Sequence, residues 1–515
     1  MKAVSLLILI LMSALLGACA TNPVTGESEL ALVSETSELE IGRKQYAPSR
    51  QMQGGDYTAD PKLSAYVQSV GNRLAAVSDR KLPYEFVIVN DSSPNAWALP
   101  GGKIAVNRGL LVELDSEAEL AAVLGHEIVH AAARHSAQGM ERGMLLQGVL
   151  AAVGVAARNT GYGDLAVGAA GLGANLVNQR YSREAELESD HFGMIYMQRA
   201  GYDPQAAIGL QETFVRLSEN KDQSWLAGLF ASHPPSRERV GKNRESAAGM
   251  DRGGKLSRPE YQRMIAQLKR SKPAYEAYDE GVKALDKQPA KALKLADKAI
   301  SIESGEGLFY GLRGDAYYNL KELNKARTAY DQAIRLNPGF FRPYLTRGVV
   351  RAQQGDEPGA RSDLQKSLQL LPTADAHYYL GRIAQIGGDQ RTALAHYQVA
   401  SGSNSVAGKA ASREMASLQL SNDPGRYLET DLGVDRSGNL LVRISNNTGL
   451  AVRDPVVLVG RRDASGNIYR GREHKLKGIL RPGRSLHFES GIRGLNSRDQ
   501  LREFDARVVR AFPVE

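Results

Sequence analysis

One cysteine, Cys19, is all that this chain of 515 residues contains. A single thiol forms no internal disulfide, and the same count excludes cysteine metal sites and cysteine nucleophiles, so the apolar core must carry the fold. Long hydrophobic runs are missing too. Ala3 to Leu16, Met144 to Ala157 and Leu165 to Val177 each fall short of the roughly 20 residues that span a bilayer. Charge of either sign is in balance over most of the length. Of 65 Lys+Arg and 57 Asp+Glu, 16 and 8 lie between Arg436 and Glu515, leaving 49 of each sign elsewhere. The formal excess of +8 therefore resides in the last 80 residues.

What the chain does have is His126-Glu127-Ile128-Val129-His130, an H-E-x-x-H string. Ser116 followed by Glu119 forms a capping box, and Leu120, Val123, Leu124 and Ile128 recur at helical spacing, so the string is expected on a helix. There His126 and His130 share a face at i, i+4 and reach one ion at roughly 2.0–2.1 Å. Glu127 points about 100° away. It is free to act as general base on a water activated by the metal. The alternative is a chance match on an ordinary amphipathic helix.

A third ligand is needed. The continuation H-E-x-x-H-x-x-G-x-x-H fails, because Ala133 and Ser136 stand where it needs glycine and histidine, and His135 misses by one. An acidic residue on a second helix is the other solution, and Ser182 to Gly193 offers one. Glu186 and Asp190 share a face at i, i+4, so Glu186 is expected to ligate while Asp190 accepts the free N–H of a ligand histidine. Glu184 and Glu188 fall off that face and are expected to be a solvated acidic flank.

These residues resemble the peptidase family of the CAAX prenyl endopeptidases, the bacterial heat-shock membrane protease and the periplasmic outer-membrane proteases. Asn22-Pro23-Val24-Thr25-Gly26, Asn95 to Gly102, Ala200-Gly201-Tyr202-Asp203-Pro204 and Ser232-His233-Pro234-Pro235-Ser236-x-x-Arg239 match as well, so the resemblance covers roughly residues 22 to 240. It implies one zinc ion held by His126, His130 and Glu186, with Glu127 as the base. Ser189 stands where the family usually has alanine. The resemblance also singles out His233, as a gate over the metal or a donor to the oxyanion, with Arg239 assisting; a structural loop histidine is the alternative. Asn95 to Val106 suggests a strand with a glycine-rich turn. As an open edge it would bind extended peptide through main-chain hydrogen bonds, and as an interior strand it would not.

Residues 1 to 19 have the pattern of a secretory signal, and Leu16-Gly17-Ala18-Cys19 resembles a bacterial lipobox. Cleavage there would leave Cys19 first and carrying lipid, and more than one acyl chain makes anchoring stable. Ala20 after it favours the outer membrane by analogy. The runs within 144–177 are expected to form a helical hairpin, either packed beside the active site or dipping into the membrane surface.

Past Ala247, residues 248–273 are polar enough for a linker with one short helix. A repeat follows. Gly314, Tyr317, Ala326, Tyr330, Ala333 and Pro338 fall at tetratricopeptide (TPR) spacings, and Gly348, Ala360, Leu364 and Pro372 come 34 residues later. Gly381, Ala393, Tyr397 and Ala400 continue the register, with a degenerate copy at Gly281, Ala292 and Ala299. Beyond Ser421 to Gly425 the pattern alternates, with Leu440, Val442 and Ile444 on one face and turns at 446–449 and 464–467. Its basic surplus would rest on anionic headgroups or acidic partner loops, or is merely scattered and solvated.

The expectation is a multidomain chain: signal 1–19, N-terminal segment 20–48, mostly helical α+β zincin domain 49–247, linker 248–273, TPR α-solenoid 274–402, capping helix and linker 403–424, and a small basic β-sandwich 425–515. Its function is expected to be zinc endopeptidase on the periplasmic face of the outer membrane, cleaving unfolded or misassembled envelope proteins, with the repeats meeting outer-membrane assembly machinery. The fold alone does not fix that role. A repeat-based assembly chaperone with latent proteolysis and a muropeptide hydrolase are the competitors. Nucleic acid is not an expected partner.

Overall fold

A computed structural model of the chain describes residues 19–152, 180–219, 227–251, 253–463, 465–495 and 497–514. The expected signal up to Ala18 and most of the expected hairpin, residues 153–179, lie outside the described residues. Contacts divide the chain into Met1–Pro372 and Thr373–Glu515. Among the described residues no helix is long and apolar enough to cross a membrane.

The first unit opens with a hairpin of β1 (Cys19–Thr21) and β2 (Ser28–Leu30), then α1 (Glu35–Met52) and α2 (Pro61–Ala76). The expected boundary at 48/49 therefore falls inside a helix. A mixed sheet follows, in which β3 (Glu85–Val89) runs parallel to β5 (Lys103–Asn107) and β4 (Ala96–Leu99) pairs antiparallel on the other side. Gly101 and Gly102, both at φ 77°, make the β4–β5 turn, a left-handed pair that glycine adopts without a Cβ penalty. Strand β4 lies at the sheet edge among the described residues. All four of its residues are buried.

After α3 (Arg108–Leu111) comes α4 (Glu117–Ala132), which carries the H-E-x-x-H string. Ser116 Oγ accepts from Glu119 N at 3.2 Å, but the reciprocal arm differs from expectation: Glu119 Oε2 accepts from Asp115 N at 2.7 Å. Every residue of α4 except Glu119 is buried. The helix is thus not amphipathic, and α5 (His135–Ala152), α6 (Arg183–Arg199), α7 (Gln205–Glu219), α8 (Ala227–Ser232) and α9 (Arg237–Ala248) follow it.

Residues 248–273 are not a linker. They hold α10 (Arg258–Met264) and the start of α11 (Ala266–Ala284), and Tyr261, Ile265 and Leu268 are fully buried in the same core as α4. Tyr261 donates its hydroxyl to Leu111 O at 2.7 Å. Three apolar residues at i, i+4, i+7 suffice to dock a helix whose average composition is polar.

The repeats pair α11 with α12 (Pro289–Ile302), α13 (Gly307–Asn319) with α14 (Leu323–Leu336), and α15 (Phe341–Gln353) with α16 (Glu357–Leu370). A Cβ on Gly314 would lie 2.4 Å from the Tyr330 ring, and one on Gly348 would lie 2.9 Å from Leu364. The glycines are where paired helices touch. The division after Pro372 falls within the expected repeat block 274–402, so α17 (Ala374–Ile386) and α18 (Gln390–Ser401) belong to the second unit. There Gly381 meets Tyr397 in the same way, at 2.6 Å, and α19 (Val406–Gln419) buries Ala411 and Met415 against α18.

Seven strands complete that unit: β6 (Leu428–Val434), β7 (Leu440–Asn446), β8 (Val452–Arg462), β9 (Ile468–Lys475), β10 (Ile479–Leu480), β11 (Ser485–Glu489) and β12 (Phe504–Pro513). One sheet has the order β11-β7-β6. In the other, β8 pairs with β12, β10 and β9. Leu440, Val442 and Ile444 are fully buried, and they share one cluster with Val457, Val459 and Val508 of the second sheet.

Candidate metal centre

Helices α4 and α6 cross where neither has a side chain. A Cβ on Gly125 would lie 3.1 Å from Gly193 O, and one on Gly193 would lie 3.1 Å from His126 N. This close approach sets Glu186 and Asp190 of α6 against the two histidines of α4. His126 Nε2 and His130 Nε2 stand 3.0 Å apart, with Glu186 oxygens 3.6 and 3.4 Å from them. His233 enters from the end of α8. Its Nδ1 is 3.0 Å from Glu186 Oε1 and 3.3 Å from His126 Nε2. His126, His130, Glu186 and His233 each direct one ligand atom to a common point, all within 4.8 Å of one another.

The tautomers follow from the outer partners. Asp190 Oδ1 can only accept at pH 7, so His126 Nδ1 at 3.0 Å carries the proton and Nε2 presents a lone pair. His130 Nδ1 lies 2.8 Å from His135 Nδ1, and donation in that direction frees His130 Nε2 likewise. Two lone pairs facing each other at 3.0 Å beside a carboxylate, in a buried setting, repel. This donor set fits a divalent cation.

Arg239 on α9 holds the acidic side together. It donates from Nε to Asp190 Oδ2 at 2.8 Å and from an Nη to Oδ1 at 2.7 Å, and another Nη sits 2.8 Å from Glu186 Oε2. Burial pushes the Asp190 carboxyl up, but this fork and the His126 bond overcome it and hold the group below its usual range. For Glu186, burial is likewise outweighed by the His233 charge and the hydrogen bond from His233 Nδ1, which keep it well below. Glu127 has no such fork. Burial raises its pKa, and its Oε2 is buried without a hydrogen-bond partner among the described residues. Its Oε1 lies 3.6 Å from His233 Nε2.

His135 is what sequence reasoning set aside. Arg134, just past α4, takes φ 64° and reverses the chain, which swings His135 back over His130. A left-handed arginine costs about 1–3 kcal/mol, and its buried guanidinium is fixed by Glu38, Glu29, Glu141 and Val33 O. The N-terminal segment is thereby clamped to the end of α4. Tyr181 stacks on the His130 ring at 3.8 Å, its hydroxyl 2.9 Å from Ser136 Oγ. Glu184 is solvated as expected, but Glu188 is not: it is largely covered and 3.4 Å from His135 Nε2. An odd number of residues past the helix end gave no periodic signal for this contact.

Gly193→Val is expected to lower unfolding free energy by about 1–3 kcal/mol, the usual cost of overpacking, and to reduce bound metal. Denaturant unfolding with and without chelator measures both. Wild-type stability and metal content in the variant would show that the helix crossing does not set the site.

The model of peptidase family M48 matches residues 61–247, and that of a TPR repeat matches 314–355. The chain is 34% identical over 197 residues to the putative beta-barrel assembly-enhancing protease of Vibrio cholerae serotype O1, covering 36% of this chain and 40% of that one. It is 38% identical over 183 residues to the mitochondrial metalloendopeptidase OMA1 of Schizosaccharomyces pombe, covering 35% and 52%. With metalloprotease YcaL of Escherichia coli the identity is 31% over 193 residues, covering 36% and 69%. The chain thus spans about half the length of the first curated relatives it matches. The family model takes in α4, α6 and α9, the three helices that supply His126, His130, Glu186, Asp190 and Arg239, and more than two thirds of one relative aligns at over 30% identity: the chain belongs to peptidase family M48.

Proposed function

We propose that this chain is a zinc endopeptidase, anchored by lipid on Cys19 to the periplasmic face of the outer membrane, that removes unfolded or misassembled envelope proteins. The observation that carries the reading is the convergence of His126 Nε2, His130 Nε2 and Glu186 beside a Glu127 carboxylate with one oxygen that has no hydrogen-bond partner among the described residues. Zinc bound there would act as a Lewis acid and make water a nucleophile near neutral pH. His126, His130 and Glu186 would hold it, while Asp190 and His135 keep the two imidazoles in the ligating tautomer. Glu127 would take the proton from the attacking water and pass it to the leaving amine. Burial that raises its pKa brings this base nearer the working pH. An extended substrate would add to the β4 edge through main-chain bonds, and His233 would gate the metal or donate to the oxyanion, with Arg239 fixing its surroundings.

Several relatives' names mention beta-barrel assembly, which favours outer-membrane barrels as substrates and their assembly machinery as a partner of the repeats. The C-terminal sheets, read as a small β-sandwich, would set their exposed arginines on anionic headgroups. The purified lipid-free chain is expected to hold one zinc and to cut casein, to lose both with a chelator and to regain both with zinc. Metal-free protein that cuts casein regardless of chelator would sink the reading.

A second reading has an observation of its own. His233 already sits among the metal donors, so the resting enzyme would be latent and the repeats would serve as a chaperone. Glu127→Gln and deletion of residues 274–402 separate the two: if only the deletion impairs envelope integrity, cleavage is dispensable.

A further inference from the structure

Beside Glu127 a cavity runs along α4 and α6 to α7, with Leu110, Val123, Met194, Leu210 and Phe214 among its apolar walls. Its empty volume, counting the open mouth, is about 570 Å³. Two neutral amides also line it, Gln211 of α7 and Asn243 of α9. Both side chains are more than nine-tenths buried, and Gln211 Oε1 and Asn243 Nδ2 have no hydrogen-bond partner among the described residues. Unmatched buried polar atoms are uncommon in folded proteins. Here one acceptor and one donor adjoin the same apolar space, next to the proposed base.

We infer that this cavity is a side-chain subsite that selects tyrosine at a position flanking the scissile bond. The inference rests on the peptidase reading and adds the residue preference to it. A tyrosine ring fills the apolar walls, and its hydroxyl can donate to Gln211 Oε1 while accepting from Asn243 Nδ2. Phenylalanine fills the space but leaves both amides unmatched. Aspartate would set a carboxylate beside those of Glu127 and Asp190, which line the cavity together with His126, His233 and Arg239, and alanine would leave the apolar walls empty. Main-chain binding along β4 is indifferent to side chains, so the preference would arise in this cavity.

The test uses the full zinc-loaded chain. Mass spectrometry of a cleaved denatured protein locates the flanking position, and peptides identical but for Tyr, Phe, Leu, Ala or Asp at that position are then compared. Tyrosine is expected to exceed phenylalanine by about 10-fold in kcat/KM, as one or two hydrogen bonds give, and to exceed alanine and aspartate by more. Gln211→Leu and Asn243→Leu should abolish the advantage over phenylalanine. Gln211→Leu removes an unmatched amide and is expected to keep the fold, so it decides if Asn243→Leu does not accumulate. Anisotropy of the same dye-labelled peptides on Glu127→Gln reads selectivity without chemistry. Equal handling of Tyr and Phe by the wild-type chain, or a tyrosine advantage that persists in Gln211→Leu, would overturn the subsite. Tyrosine-selective binding by a wild-type chain that cuts none of the peptides would instead overturn the peptidase reading and leave the subsite standing.

Discussion

Glu127→Gln is expected to slow peptide-bond cleavage by about 10²- to 10⁴-fold, the usual range for removing a positioned general base, with zinc content and unfolding midpoint unchanged. Glutamine has the shape of glutamate and keeps one oxygen, but its amide cannot accept the proton of the attacking water. Glu127 is also not one of the four residues whose atoms converge, so the metal donors are untouched. Its carboxylate is buried with one oxygen unpartnered. A neutral amide there removes a buried charge, which is why the fold should tolerate the change. Casein or peptide turnover with metal analysis on the same samples checks the expectation. A loss under tenfold at full zinc occupancy would remove Glu127 from the chemistry and leave His233, 3.6 Å away, as the group to test next.

The second large effect is on stability. Arg239→Ala would leave Asp190 and Glu186 as two buried carboxylates without their shared cation, and breaking a buried pair in this way costs about 3–5 kcal/mol. The sign follows from the pKa directions. Both carboxyls lie below their usual range in the folded chain, so each contributes stability that is present above the unfolded pKa and lost as pH falls through the folded one. Removing Arg239 raises both folded values and shrinks that contribution at neutral pH. The deficit should be greatest in chelated protein, because a bound cation compensates Glu186. Arg239→Lys keeps a charge without the fork and should recover only part of the loss. Denaturant unfolding of chelated and zinc-loaded protein gives all three values, and a deficit below 1 kcal/mol in the chelated variant would mean that the Asp190 contact is screened or replaced.

Much of the site was legible because its parts are local. His126 and His130, and separately Glu186 and Asp190, were placed by i, i+4 spacing, and Ser116 by its place before a helix. What was missed has a common cause. His135 acts through a left-handed turn at Arg134 that is held by Glu38, Glu29 and Glu141, a network that no window around His135 contains. Glu188 falls off the Glu186–Asp190 face of its helix, yet it lies against His135. Residues 248–273 are polar on average, which hides the stripe of Tyr261, Ile265 and Leu268 that docks them.

By itself the sequence determined the features whose period is set by backbone geometry: two imidazoles one turn apart, a 34-residue recurrence of glycine facing an aromatic or leucine, and strands that alternate in burial. Tertiary structure alone decided which of these meet. Asp190 is 64 residues from His126, and His233 is 107. Separations of that size carry no signature, because the pairing depends on two helices approaching at Gly125 and Gly193 and on a buried arginine that makes their carboxylates tolerable together.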